Sequence, residues 1–452
     1  MLRIMPSHRV PSRRQREPGF IITLIAVFLL FVVGAMAALS IDIVTFYTAR
    51  SEAQLAADAA ALAGARVMAN SGVTSEADTG TETTMMTNTK ALALAVAKQV
   101  AQSNSVGGQL LSAGNVIVSF NGDVGSPCIA AILASNPCVT AKVTRSDLPV
   151  FFARIWGSTQ ITVTATATAE AYNPSGLATG VSTSAVSPVA PTCVKPWLMP
   201  NIDPTSSSSS PTKIFDLMSG QIVNSGLLGM TFPNATQSGA YLYAQCGPNG
   251  NGCSSNKAWQ YLVGDDNTSF PPPTQALPSC TLNTAFELGI AGCVQQPVVC
   301  GSAPASQVYV LIASDGTLDQ QAATAVNCLA HTSGGQGDKI GTGVLPPLPF
   351  QFTAGDDNPL VQAGTLTSQS NIMVSDSLVT VPVYDPSSLS GNQVNVIGFL
   401  QLFLQPDGST VPASGGIKSE IVNMVGCGNT ATGTPVYGNG ASAVPVRLIN
   451  HP

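Results

Sequence analysis

Residues 20–65 read FIITLIAVFLLFVVGAMAALSIDIVTFYTARSEAQLAADAAALAGA, and the way this run divides decides the fold. Phe20–Ile41 holds 22 residues without a charge; as a helix this extends about 33 Å, enough to cross a hydrocarbon core of about 30 Å. From Asp42 the composition turns to polar residues interleaved with alanine. No proline follows, and Gly64 is the sole glycine before Gly72, so one helix is predicted from the span to about Asn70.

The upper part of this helix has two contrasting stripes. Tyr47, Ser51, Gln54 and Asp58 fall on one polar face, with Gln54 and Asp58 spaced for an i, i+4 hydrogen bond. Ala53, Ala57, Ala60 and Gly64 form a neighbouring face almost without side chains. Small residues at this spacing let another backbone approach closely. Two uses fit: packing on the protein's own sheet, or homo-oligomerisation through Ala60-x-x-x-Gly64. Asp42, one span-length from Phe20, is expected at the outer interface, either solvated or meeting a positive group on a neighbouring helix. Asp42, Tyr47, Gln54, Asp58, Ala60 and Gly64 are therefore the candidate partner contacts.

The flanks orient the span. Five arginines (Arg3, Arg9, Arg13, Arg14, Arg16) and no acid occupy the first 16 residues, leaving 13 basic against 24 acidic residues for the remainder. The positive-inside rule then puts segment 1–19 in the cytoplasm and the bulk of the chain outside. Ala35-Met36-Ala37 offers an alternative as a signal-cleavage site, although the apolar run exceeds the usual 7–15 residues. Charged residues are only 9% of the chain, with 42 glycines and 32 prolines, which suits a β-rich exported surface and provides no electrostatic footprint for nucleic acid.

Beyond the helix, residues 88–103 (NTKALALAVAKQVAQS) place Leu92, Val96 and Val100 on one helical face. Strands are predicted at Asn115–Phe120, Cys138–Thr144 and Gln160–Ala171, the last in strict alternation, with a short helix at Pro149–Trp156. This makes a compact α+β unit over 42–172. Residues 173–192 are rich in Pro, Ser, Gly and Thr with no charge and read as a flexible linker. From 193 to 452, short apolar runs such as Val308–Ala313, Ile372–Val383 and Val394–Leu404 alternate with turn residues, predicting a β-rich domain with long loops.

The basic start, the span, and IDIVTFYTARSEAQLAADAAALAGAR together resemble the N-terminal segment of the tight-adherence (Tad/Flp) pilus-assembly family, in its TadG-like branch. Asp42, Tyr47, Arg50, Gln54 and Ala56–Ala65 match its acid, aromatic, Arg/Gln and AADAAALAGA positions. PVFFARIWG and TVTATATAEA carry the resemblance to about residue 172, roughly from residue 10. It implies a membrane-anchored assembly or scaffold component facing the periplasm of a bacterial inner membrane, with other pilus-assembly membrane proteins or pilus subunits as partners. The alternative is an adhesin or ligand-binding surface protein tethered by a common anchor. Two departures narrow the expectation. Prepilin-peptidase substrates carry a glutamate five residues after the cleaved glycine, whereas Gly19 is followed there by Leu24. The D-x-S-x-S run of a von Willebrand A-type domain is missing as well.

All ten cysteines follow residue 127, and an even count in an exported segment predicts disulfides. Cys128 with Cys138 would close a nine-residue loop between strands, and Cys246 with Cys253 would bracket a GPNGNG turn. Only three histidines exist, and Cys328-x-x-His331 is too little for a zinc site. H-E-x-x-H and G-x-S-x-G are missing, Gly334–Gly343 lacks a phosphate-loop ending, and Asp265–Asn267 and Asp356–Asn358 read as turns rather than calcium loops. A non-enzymatic protein without cofactor or metal is predicted. Its class is α+β: a transmembrane helix continuing into a long Ala-rich helix packed on a small sheet, then a β-rich disulfide-containing domain.

Overall fold

The computed structural model describes residues 18–449 apart from 77–78, 124–127, 129–135, 151, 153–156, 158–159, 176–186, 204–211, 233–281, 283, 294–296, 303–315, 332–335, 342–345, 347, 389–394, 406–416, 428–433 and 439–441. Helix α1 spans Pro18–Asn70, and its 53 residues reach about 80 Å. Its lower part stands alone: large apolar side chains from Phe20 to Val44 are exposed, and the most apolar window of the helix has no residue buried. Its upper part is packed, with Ala53, Ala56, Ala57, Ala60, Ala61 and Ala65 all fully buried.

Helix α2 (Thr79–Gln102) lies against α1, longer at its start than the predicted 88–103. Next come the short hairpin strands β1 (Ser105–Val106) and β2 (Gln109–Leu110), then β3 (Val116–Phe120), β4 (Cys138–Pro149) and β5 (Gln160–Ala171). In the antiparallel pairing of β4 with β5, Val139 faces Ala169, Ala141 faces Ala167 and Val143 faces Ala165. These six side chains are buried, and α1 packs on both strands. The other face of the sheet carries threonines: Thr140 and Thr168 hydroxyls lie 3.0 Å apart, and those of Thr144 and Thr164 lie 3.4 Å apart. The alternation of β5 thus sorts alanine toward the helix and threonine away from it. β4 extends five residues beyond the predicted Thr144, with a register shift between Arg145 and Leu148. Pro149 therefore ends a strand instead of opening a helix, and residues 153–156 of that predicted helix lie outside the described residues.

The second half adds β6 (Val189–Ala190), β7 (Met199–Pro200), β8 (Thr231–Phe232), helix α3 (Ala285–Ala291), β9 (Gly301–Ser302), helix α4 (Gly316–Leu329), β10 (Lys339–Ile340), β11 (Phe352–Thr353), the single turn α5 (Pro359–Gln362), β12 (Asn371–Ile372), β13 (Leu378–Tyr384), β14 (Asn395–Leu404), β15 (Ser419–Gly426), β16 (Val436–Tyr437) and β17 (Val446–Leu448). Its main sheet runs β7-β13-β14-β15-β8, with β9 also on β14. Strands β13, β14 and β15 are buried almost throughout, which explains why they read as unbroken apolar runs. Val308–Ala313 lies outside the described residues.

The two halves interlock. β17 pairs with β5, so the first sheet has the order β17-β5-β4-β3 and is completed from the far end of the chain. Arg447 meets the fully buried Glu170 at 2.5 Å and stacks over the Tyr172 ring at 4.6 Å. The segment read as a linker is fastened at both ends. Asn173 and Ser175 are buried, Val189–Ala190 pair with β16, and residues 176–186 lie outside the described residues. Disulfides join Cys128 to Cys138, Cys193 to Cys293 and Cys300 to Cys427, and Cys328 is disulfide-bonded too. Cys246 and Cys253 lie outside the described residues.

Candidate functional site

Helix α1 places the candidate residues, and its faces meet different fates. Gly64 and Ala60 are buried between β4 and α2; a Cβ on Gly64 would lie 2.8 Å from Val139 Cγ1 and 3.4 Å from Ala97 Cβ. The close approach that small residues permit is therefore made by the chain itself, and a second copy has no access to this stripe. The polar stripe points outward. Tyr47 is 63% exposed, resting edge-on against Phe46, and Leu55 is exposed one turn beyond Ser51. The Gln54 amide donates to Asp58 Oδ1 at 2.8 Å and to the Thr166 carbonyl at 3.3 Å, which ties the stripe to β5.

Asp42 is neither solvated nor turned outward. It is 6% exposed although Ile41, Ile43 and Val44 beside it are open, and its Oδ2 accepts the Phe152 backbone N–H at 3.0 Å. The carboxylate sits in a small cleft with Thr45, Phe46, Leu148, Pro149, Val150 and Ile161. Further up, Glu52 accepts the Gly107 N–H at 2.6 Å. That fixes the β1–β2 hairpin, which the buried Arg145 also holds through the Val106 carbonyl and Gln109 Oε1.

The top of α1 ends inside the second half of the molecule, in a buried polar seam that no local pattern announced. A helix leaves its last carbonyls without partners of its own. Here the Asn423 amide donates to the Ala69 carbonyl at 2.7 Å and to Gln401 Oε1 at 2.6 Å, Gln401 donates to Asn70 Oδ1 at 3.2 Å, and Asn70 donates to the Met373 carbonyl at 2.8 Å. Ser75 exchanges hydrogen bonds with the Met424 backbone at 2.9 Å in both directions. Asn173 donates to the carbonyls of Thr74 and Met424. The chain leaves the helix through Gly72 at φ 85°, where a Cβ would strike the Phe350 ring at 2.8 Å, so both backbone and space require glycine.

Several other titratable groups are tied into the fold. Lys195 donates to the Gly292 carbonyl at 2.7 Å; burial pulls its pKa down to about 8, opposed by the charge of Asp376. Burial pushes the Tyr172 phenol up to about 12, while its hydroxyl donates to the Ser187 carbonyl at 2.6 Å. His331 Nε2 lies 2.9 Å from Asp376 Oδ2, and Cys328 is held in a disulfide, so the Cys328-x-x-His331 spacing does not present a thiolate to a metal. The Asn358 side chain caps α5 by accepting the Leu360 N–H, which makes Asp356–Asn358 a helix-capping turn. Among the described residues, no group of three or more His, Cys, Asp or Glu side chains is placed to hold a metal.

The helix that carries these faces is also the part of the chain with a recognisable relative. Residues 19–67 match the family model described as "Putative Flp pilus-assembly TadE/G-like". This segment resembles a Tad domain. It covers the bare apolar length of α1 and most of its packed length, stopping three residues short of the helix end. The match is narrower than the resemblance read from residue 10 to about 172. No curated protein and no solved structure matches the chain. The match supports a role in pilus assembly, and among the described residues α1 is the one candidate membrane span.

Proposed function

We infer that this protein is a non-enzymatic, membrane-anchored assembly or scaffold component of a tight-adherence pilus apparatus. The carrying observation is that the Tad domain coincides with α1, whose lower 22 residues are apolar and uncovered while its upper half is the spine of a folded unit. Residues 1–19 stay in the cytoplasm, 20–41 cross the inner membrane, and the remainder lies on the periplasmic side. The arginines before the span support that orientation, as do disulfides in the part placed outside.

The mechanism is mechanical. The span fixes the protein beside the assembly machinery, and the seam at Asn70, Gln401 and Asn423 couples the helix to the outer half, which meets pilus subunits or the envelope. The rival reading, an adhesin or ligand-binding surface protein tethered by a common anchor, differs in what the outer half binds, and β17 and the seam join that half to the anchored one under either reading. The divisions at 42–172 and 193–452 are kept as regions of the chain, joined in the fold by the β17–β5 pairing. Deleting the gene is expected to abolish surface pili and adherence, and unchanged piliation would refute the assembly role. Protease treatment of spheroplasts is expected to remove the outer part, and its full protection would overturn the orientation.

A further inference from the structure

The disulfides cut across the order of the cysteines along the chain. Cys128 bonds to Cys138, the next cysteine in sequence. Cys193 instead bonds to Cys293, passing over Cys246, Cys253 and Cys280, and Cys300 bonds to Cys427, passing over Cys328. An unfolded chain favours other partners, because the probability of closing a loop falls about as the 3/2 power of its length. Cys293 lies 13 residues from Cys280 and 100 from Cys193, so it meets Cys280 roughly 20 times as readily. Cys300 lies 28 residues from Cys328 and 127 from Cys427, which favours Cys328 by about 10 times. Export from the N-terminal side adds to the bias, since Cys193 meets three other cysteines before Cys293 arrives.

We propose that this chain is a substrate of a thiol–disulfide isomerase, a dithiol protein of the compartment in which its cysteines oxidise. A thiolate of the isomerase attacks one sulfur of a mispaired bond, forming a mixed disulfide and expelling a cysteine thiolate of the chain. The thiolate of the native partner then attacks the mixed disulfide, closes the native bond and expels the isomerase thiolate. One S–S bond breaks for each that forms, so the exchange consumes neither oxidant nor reductant. It must precede packing. Cys427 directly follows β15 and Cys300 directly precedes β9, and both strands pair with β14. Once that sheet closes, Cys427 is only 3% exposed and its sulfur is out of reach of an attacking thiolate. Cys128 and Cys138, neighbours in sequence, need no exchange. The inference rests on the periplasmic placement above.

The test produces the full chain in a bacterium with and without its periplasmic disulfide isomerase and maps the bonds by mass spectrometry of unreduced peptides. Without the isomerase, Cys193–Cys293 and Cys300–Cys427 are expected to be lost to mispaired bonds while Cys128–Cys138 persists. Equal native pairing in both strains would overturn the inference and leave the placement standing; reduced cysteines in both would overturn the two together. A variant carrying Cys246→Ser, Cys253→Ser, Cys280→Ser and Cys328→Ser makes each native pair consecutive in sequence. Its two long bonds are expected to form with or without the isomerase. Continued dependence on the isomerase in that variant would refute the passed-over cysteines as the cause. The readout is pairing itself, so it serves even where the variant is less stable.

Discussion

Gly34 and Gly64 sit on the same helix in similarly apolar sequence, and their surroundings are opposite. A Cβ on Gly34 meets nothing within 4 Å, whereas one on Gly64 runs into Val139. The difference lies in the size of the neighbours more than in their hydropathy. Below Asp42 the helix carries Phe, Leu, Ile and Val, too bulky to admit another backbone and covered by none; above it, alanines let β4, β5 and α2 settle on the helix axis. Large exposed apolar side chains lower their free energy when an apolar phase covers them, while small ones are buried by close backbone approach.

Several changes would break or sharpen that contrast. The largest effect is expected at Arg447, whose removal strands the fully buried Glu170 and opens the sheet beneath the upper helix. Arg447→Ala is expected to cost about 3–5 kcal/mol in denaturant unfolding. A pH scan separates the halves next, since Phe20–Ile41 holds no ionisable side chain. The buried Lys195 ammonium is a full cost below about pH 8. The folded form sheds its proton first as pH rises toward 10.5, so the unfolded chain binds more protons in that window and stability rises by up to about 3 kcal/mol. Lys195→Met should flatten this rise, and a fall in wild-type stability through the same window would contradict it.

Asn423→Ala leaves the Ala69 carbonyl and the Gln401 amide oxygen without the donor they share and is expected to lower stability by about 1–3 kcal/mol, read as a shifted urea midpoint. Gly64→Leu forces a side chain between α1, β4 and α2 and should cost about 1–3 kcal/mol. The same replacement at Gly34 should change the stability of the folded part by less than about 0.5 kcal/mol. Equal losses at the two glycines would dissolve the comparison.

What the sequence disclosed follows the range of the forces involved. Helix α1 was legible to its last residue, because a long proline-free run states its own length, and β5 was legible in full, because strict alternation repeats at every second residue. β4 was read short: beyond Thr144 the Arg145–Leu148 register shift breaks the alternation. Helices α3 and α4 were missed within a region read as β-rich, since each is short and set among turn residues. The stripe at Ala60 and Gly64 was visible, but its occupant was not. Small residues announce close approach without naming who approaches. Asp42 was visible as an acid at the end of a span, while its acceptor role depends on a hairpin 110 residues away. The polar seam was invisible, as Ala69 and Asn70 at the helix end stand more than 300 residues from Asn423 and Gln401.

The pairing of β17 with β5 sets a schedule. Arg447 and Glu170 are 277 residues apart, so at the usual 5–20 residues per second roughly 15–55 s of synthesis separate them. Throughout that interval the outer edge of β5 stands unpaired and a buried carboxylate waits for its cation. Until β17 arrives, that β5 edge is open to strand pairing with a neighbouring chain.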